Sequence, residues 1–222
     1  MRLVHLSDSH GRFYTVPRRG IDATIHSGDF LPNKTRGNLD IEPVYQEEWL
    51  LRHKPIFLEW MPLPMPFLFC RGNHDFMNPV PILQEMGINA IDISGQIAVV
   101  GDLKFFGFPF TPWFTGEWWG ELTTREMTMA MEGLLLVLER DKPDVLVSHG
   151  PMYGILDEAY GENCGSKDLF HLLTHVTKHL PKLFLCGHIH ESHGEFPRPI
   201  HSVGGQQMRV FNSATTFHVI EV

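Results

Sequence analysis

Cysteine is scarce in this chain, with three in 222 residues (Cys70, Cys164 and Cys186), an odd number without a close pair. That excludes a disulfide framework or a cysteine zinc knuckle and fits a reducing compartment. Long apolar runs are missing too. No stretch approaches the length needed to span a bilayer, and the apolar run in MRLVHLSDSHG meets polar, His-rich sequence too soon for a signal-peptide core. The expectation is no membrane and a cytoplasmic location. Positive charge is in deficit: 18 Lys and Arg against 26 Asp and Glu give a formal net charge of -8. This argues against a protein that tracks a long phosphate backbone by releasing counterions, while a small anionic ligand stays open where cations are held locally. Repeats, linkers and low-complexity tracts are also lacking, and 43% hydrophobic with 20% charged residues is ordinary for a globular protein, so residues 1–222 are expected to fold as a single domain.

What the chain does contain is a set of short apolar runs, each ending in a polar side chain. RLVHLS leads to Asp8, DATIHSG to Asp29, PFLFCRG to Asn73, DVLVS to His149 and KLFLCG to His188. In α/β architectures ligands bind in the crevice outside the carboxyl ends of the strands, so side chains scattered in sequence can converge there. Between the runs, helices are expected at 42–54, with a proline near its start and early acidic residues, at 121–140, and at 166–180 with Ser166 as N-cap. QIAVVGDLKFFGF reads as a hairpin turning at Gly101 and Asp102, and MRVFNSATTFHVIEV as two late strands or one long bent one. Periodicity by itself gives an α/β fold and no more.

The polar ends form a series: Asp8-x-His10, Gly28-Asp29, Gly72-Asn73-His74-Asp75, His149 in SHGP, and His188-x-His190. Any one of these is common by chance, since Gly-Asp is an ordinary turn and two histidines flanking one residue at a strand end can be one solvated and one hydrogen-bonded side chain. The ordered set is not common. At this point the sequence resembles the calcineurin-like metallophosphoesterase superfamily, whose five blocks run in this order. SDSHGR, HSGDF, SHGPMYGILD and GHIHESHG look like the longer signatures of metallophosphoesterase-domain proteins and of the class III cyclic-nucleotide phosphodiesterase group. The blocks span residues 5 to about 212, and every expected ligand position is filled.

The resemblance implies a four-layer αββα sandwich with two facing mixed sheets and a metal site at the C-terminal ends of strands. It implies that Asp8, His10 and His190 hold one divalent ion and Asn73, His149 and His188 a second, with the Asp29 carboxylate bridging them. Carboxylate, imidazole and amide ligands suit manganese first, with iron, zinc and nickel as alternatives, over a soft thiolate-seeking ion. Gly187 is expected to relax the backbone so that both His188 and His190 turn inward. The implied activity is hydrolysis of phosphodiesters or phosphomonoesters, cyclic nucleotides among them, through attack by a metal-bridging hydroxide. His74 would protonate the leaving group or stabilise its charge, with Asp75 orienting it. The substrate partner is a small phosphoester. A metal-dependent nuclease of the same superfamily is the alternative, disfavoured by the charge, and a non-catalytic metal-binding scaffold ranks lower because no ligand is lost.

Other residues have competing readings. Arg12, beside Gly11, is a candidate contact to substrate phosphate, and Trp113 a candidate substrate-binding residue. Residues 109–121, PFTPWFTGEWWGE, carry Trp113, Trp118 and Trp119, and three uses stand level: a lid stacking on a base or aromatic leaving group, a pin holding the loop to the body, or a dimer contact. His171, His175 and His179 recur at helical spacing, yet with Leu169, Leu172, Leu173 and Val176 marking the buried side, a solvated stripe is favoured over a zinc site. Cys70 and Cys186 read as small core residues, and His5, His26 and His218 as structural hydrogen-bonders within strands. Residues 31–42 read as a surface loop shaping the mouth of the site.

Overall fold

The first strand, β1 (Arg2–Leu6), already serves two cores, because successive side chains alternate faces: Leu3 packs in one cluster, Val4 and Leu6 in another. The structure is a computed structural model that describes residues 1–222 apart from 18, 62–64 and 117. β1 lies in a five-stranded sheet with β2 (Ala23–His26), β3 (Phe67–Phe69) and β4 (Ala90–Asp92) parallel in that order on one side, and β16 (Phe217–Glu221) antiparallel on the other. The second sheet has a parallel centre of β6 (Leu103–Phe108), β9 (Val145–Ser148), β12 (Leu183–Cys186) and β15 (Gln207–Asn212). Its margins are antiparallel: β5 (Ile97–Val100) beside β6, and β13 (Gly194–Glu195) and β14 (Ile200–His201) beside β15. Both sheets are therefore mixed.

Three apolar clusters order the layers. Leu3, Ile25 and Leu68 of the first sheet meet Phe105, Val147 and Leu185 of the second. Val4, Phe67 and Phe69 on the first sheet's other face meet Leu50, Phe57 and Leu83 of helices α1 (Glu42–Arg52), α2 (Lys54–Trp60) and α3 (Val80–Glu85). Phe106, Leu146 and Phe184 on the second sheet's other face meet α4 (Thr124–Arg140) and α5 (Lys167–His171). Each fully buried Leu or Phe contributes about 1.5–3 kcal/mol, which makes these strands the rigid frame from which the loops project.

The helices differ from expectation at their ends. α1 stops at Arg52, and a separate helix, α2, starts after His53 with a proline in its first turn. α4 starts at Thr124 rather than 121, because Glu121–Leu122 (β8) pairs in parallel with Thr111–Pro112 (β7), and Thr123 then forms a capping box with Glu126. Met127, Met131, Leu134 and Leu138 are its buried stripe. α5 is capped by Ser166 as expected, but it passes into a π-helical turn, Leu172–Val176, and ends there. The α4 side chain Glu139 captures the chain beyond, accepting from Lys178 N–H at 2.6 Å and from the Thr177 hydroxyl at 3.1 Å. Val176 consequently faces solvent, at 43% exposure, rather than the core. The hairpin at Gly101 and Asp102 joins β5 to β6 as expected. The two late strands are separate and lie in different sheets, β15 beside β12 and β16 beside β1. Among the described residues no helix is long and apolar enough to cross a membrane.

Candidate metal centre

All the motif side chains emerge just beyond strand ends. Asp8 and His10 follow β1, Asp29 follows β2, Asn73 and His74 follow β3, His149 follows β9, and His188 and His190 follow β12. The first three strands belong to one sheet and the last two to the other, so the site joins both.

The backbone turns sharply to bring them in. Asp8, His10, Asp29 and His188 sit in the left-handed region, with φ of 53°, 45°, 56° and 68°. Such conformations cost roughly 1–3 kcal/mol each for non-glycine residues and persist where surrounding structure enforces them. Here the enforcement is visible: Asp8 N–H donates to Gly28 O, His10 N–H to Asp29 O and Gly11 N–H to Phe30 O, each at 2.9 Å. The role expected for Gly187 is corrected by this geometry. The left-handed residue is His188, and glycine is required at 187 because a Cβ there would collide with the Ser7 hydroxyl and the Asp8 carboxylate. Gly72 is required for the same reason, since its Cβ would strike the backbone nitrogen and carboxylate of Asp29.

Three sets of donor atoms result, each within 4.8 Å of one another: Asp8, His10 and His190; His10, Asp29 and His74; and Asp29, His149 and His188. Asn73 joins them, its Oδ1 lying 2.8 Å from His149 Nε2, and Asp29 Oδ1 is 3.4 Å from the same nitrogen. His149 Nδ1 donates to Ser27 O at 3.0 Å, which leaves Nε2 directed at the cluster. His190 Nε2 lies 3.2 Å from Asp8 Oδ1. Asp8 and Asp29 are buried, and no lysine or arginine stands among the described residues lining the adjoining cavity. Buried carboxylates call for paired charges or metal ions. Burial alone would raise both carboxyls, but the imidazoles outweigh it: His190 and His149 bring Asp8 down to about 2, and His149 and His74 hold Asp29 well below the usual range. His149, in turn, loses basicity through burial but gains more from Asp29 and Asp8, ending near 9. Two buried carboxylates converging with imidazoles and an amide oxygen are a donor set that divalent transition metals fit.

Asp75 does not orient His74. Its Oδ2 accepts from the N–H groups of Asp29 at 2.8 Å and Gly72 at 2.9 Å, and its Oδ1 from those of Phe30 and Leu31 at 2.9 Å. Asp75 therefore ties the Asp29 loop to the Asn73 loop. The residue on the His74 ring is Asn33, which sequence reasoning missed. Asn33 Nδ2 donates to His74 O at 3.1 Å, so its Oδ1 must face the His74 Nδ1 at 2.9 Å, and that nitrogen must carry the proton. Gln46, also missed, braces the same loop by donating to His74 O at 2.8 Å and accepting from Phe76 N–H at 2.8 Å. Both are amides placed shortly after Asp29 on polar segments, and that is the only signal either gives in sequence. Of the expected loop 31–42, Asn33 meets His74 while none of it lines the cavity over the donors, and the loop is closed by Glu42, which accepts from Lys34 N–H at 3.0 Å and from Thr35.

The cavity over the donors holds about 490 Å³, with Phe114, Trp118 and Tyr160 as its aromatic walls. Trp113, expected to bind substrate, is 56% exposed and lines a different cavity with Tyr153 and Lys167. Arg12 is exposed and lies outside the lining of the site cavity. Within 109–121 the contacts are those of pinning: Trp118 lies against His74 with ring centroids 3.9 Å apart, and Trp119 lies 3.7 Å from the Arg71 guanidinium carbon. The strand histidines have structural partners. His5 bridges the Ser27 and Ser213 hydroxyls, His26 meets Ser9, and His218 meets Ser213. His171 and His175 stack in solvent with centroids 5.2 Å apart, whereas His179 has left the helix and pairs with Pro143 O at 2.9 Å. Cys70 and Cys186 are buried in the apolar clusters.

Comparison with known proteins adds independent findings. The sequence profile of the calcineurin-like phosphoesterase family matches residues 1–192. Metallophosphoesterase domain-containing protein 1 of Homo sapiens and that of Mus musculus are each 26% identical over 211 residues, covering 87% of this chain. The chain spans 61% of the length of those relatives. A protein of unknown function from Aquifex aeolicus, known from its crystal structure, aligns at a TM-score of 0.36 and 18% identity over 73% of this chain and 83% of its own.

Proposed function

This chain belongs to the calcineurin-like phosphoesterase family, and from that premise we propose that it hydrolyses small phosphodiesters or phosphomonoesters, cyclic nucleotides included, with two divalent ions. Asp8, His10 and His190 would hold one ion and Asn73, His149 and His188 the other, with Asp29 shared between the two sets. The observation that carries this reading is the sharing of donors: Asp29 offers a carboxylate oxygen within 4.8 Å of His10 and His74 in one set and of His149 and His188 in another, as a shared carboxylate would. The order of layers, helices outside two facing mixed sheets, supports a four-layer αββα sandwich forming one domain over 1–222.

When bound, the ions supply charge neutralisation on a phosphoryl group and a lowered pKa for water. Manganese is the first choice by donor type. The chain's own residues do the rest. Asp8 and Asp29, buried carboxylates that are ionised in the metal-free chain, would provide the negative charge that retains the ions. His74, with its Nδ1–H committed to Asn33, has Nε2 as its remaining nitrogen, which would take up a proton from solvent and deliver it to the departing oxygen. Phe114, whose ring centroid is 5.0 Å from that of His188, gives the cavity an apolar face beside the reacting group.

The test is a panel of metal-reconstituted assays on a model phosphodiester, a monoester, cyclic nucleotides and single-stranded DNA. Turnover of the small esters with manganese is expected. Cleavage confined to DNA, with steep salt dependence, would replace this reading by a nuclease, and no turnover of any substrate at full metal occupancy would remove it.

A further inference from the structure

Two adjacent tryptophans, Trp118 and Trp119, fasten their own segment onto the loop that carries His74. The Trp118 ring lies on the imidazole of His74 at 3.9 Å between centroids and 31° between planes, and also meets Phe76 at 5.9 Å. Trp119 lies on the other arm of the loop, 3.7 Å from the guanidinium carbon of Arg71, and stacks with Phe110 at 6.1 Å. Arg71 and His74 flank Gly72 and Asn73, so the tryptophans grip both ends of one tight turn. The strap has its own stiffness. The Glu121 carboxylate accepts from the N–H groups of Thr115 at 3.0 Å and Gly116 at 2.6 Å, and β7 and β8 close its neck.

An imidazole has two orientational freedoms that matter here. The Asn33 hydrogen bond fixes the tautomer and points Nδ1, yet a bond in the ring plane leaves rotation about its own axis unrestrained. A face contact blocks that rotation. Asn33 and Trp118 thus restrain different motions of one ring, and together they fix where Nε2 points.

We propose that Trp118 is a positioning residue for His74, acting through ring contact and not through substrate. The kinetic part of the test rests on the phosphoesterase reading, while the spectroscopic part does not. In the full chain labelled in its histidine rings, the His74 resonances are assigned by their loss in His74→Ala. Trp118→Ala is expected to displace them and Trp118→Phe to keep them near their original positions. Trp118→Ala is also expected to lower kcat about tenfold with little change in KM, since small misplacement of a reacting group is costly, whereas Trp118→Phe, which keeps a ring on the imidazole, stays within about threefold of the original. In a His74→Ala background the Trp118→Ala loss shrinks to less than about twofold, because the two act as a unit.

Unmoved His74 resonances in Trp118→Ala would overturn the proposal. So would a loss that appears in KM, or one that persists in full without His74, because those mark a substrate contact or general structural damage. A wild-type chain that turns over no phosphoester would sink the functional reading and leave the ring spectrum to decide the contact.

Discussion

Asp75→Asn is a nearly isosteric change whose cost follows from four hydrogen bonds. Both oxygens of the buried carboxylate are occupied, Oδ2 by the N–H groups of Asp29 and Gly72, Oδ1 by those of Phe30 and Leu31. An asparagine keeps one oxygen and turns an NH2 toward the other pair, so two buried backbone donors lose their acceptor whichever way the amide is placed. Each such donor costs about 1–3 kcal/mol, giving a loss of roughly 2–6 kcal/mol. Burial and repulsion from Asp29 work in the opposite direction, raising the Asp75 carboxyl to about 7, so a neutral asparagine recovers part of this loss and the lower half of the range is expected. Against a total stability of about 5–15 kcal/mol this is a large fraction. Urea unfolding of the chelated protein reads it directly, and thermal unfolding should fall by roughly 4–16 °C for a chain of this size. Because Asp75 supports the loops of Asp29 and Asn73, manganese affinity by calorimetry should weaken about 10- to 100-fold, as for loss of a group that orients ligands. The His74 ring should stay where it is, held by Asn33 and Trp118. A stability change under about 1 kcal/mol, or unchanged metal affinity, would refute the assignment of Asp75 to the loops.

Further outcomes are expected. His74→Ala should retain both metals by elemental analysis while kcat falls about 10²-fold or more, the scale of one positioned proton or charge donor; an unchanged kcat at full occupancy would deny His74 that role. Chelation should abolish turnover and lower the melting temperature, with restoration by manganese; at 100 times Kd the bound ion is worth about 2.7 kcal/mol, and a melting curve indifferent to chelator would contradict a metal site in the folded chain. His26 is buried neutral, its pKa lowered by burial from 6.5 to about 3. The unfolded chain therefore binds more protons than the folded one between those values, and stability present above pH 6.5 is lost as pH falls through that window. The slope attributable to His26 is about 1.4 kcal/mol per pH unit, so His26→Asn in chelated protein should have a shallower decline from pH 6 to 5, and an identical slope would exclude His26 as its source.

Much of the candidate metal centre was legible because its donors, each common singly, follow apolar runs in a recognisable order. Asp8, Asp29 and His149 could be singled out for their residue types and for the apolar runs before them, and those runs are strands. The supports were harder to see. Nothing distinguishes Asn33 from the other polar residues of LPNKTRGN, and it is the folded loop that sets its amide across His74. Asp75 was given to the wrong partner because adjacency in sequence suggested His74, whereas a residue's neighbour usually points another way and its carboxylate reaches back to Asp29. Trp113, Trp118 and Trp119 look alike in a run of Pro and Gly. Which of them faces the site depends on the short β7–β8 pairing that sets the direction of the strap. The end of α5 was missed because Glu139, on another helix, captures the chain at Lys178.

The sequence by itself determined the inventory and its order: which side chains could bind a divalent cation, that each group follows an apolar run, and that positive charge is in deficit. Those properties are local, written in residue type and spacing. Only the tertiary structure decided which donors share a cavity, which late strand joins which sheet, and what holds His74. Those depend on contacts between residues as far apart in the chain as Asp8 and His188, 180 positions, where the two sheets meet and close packing selects the partners.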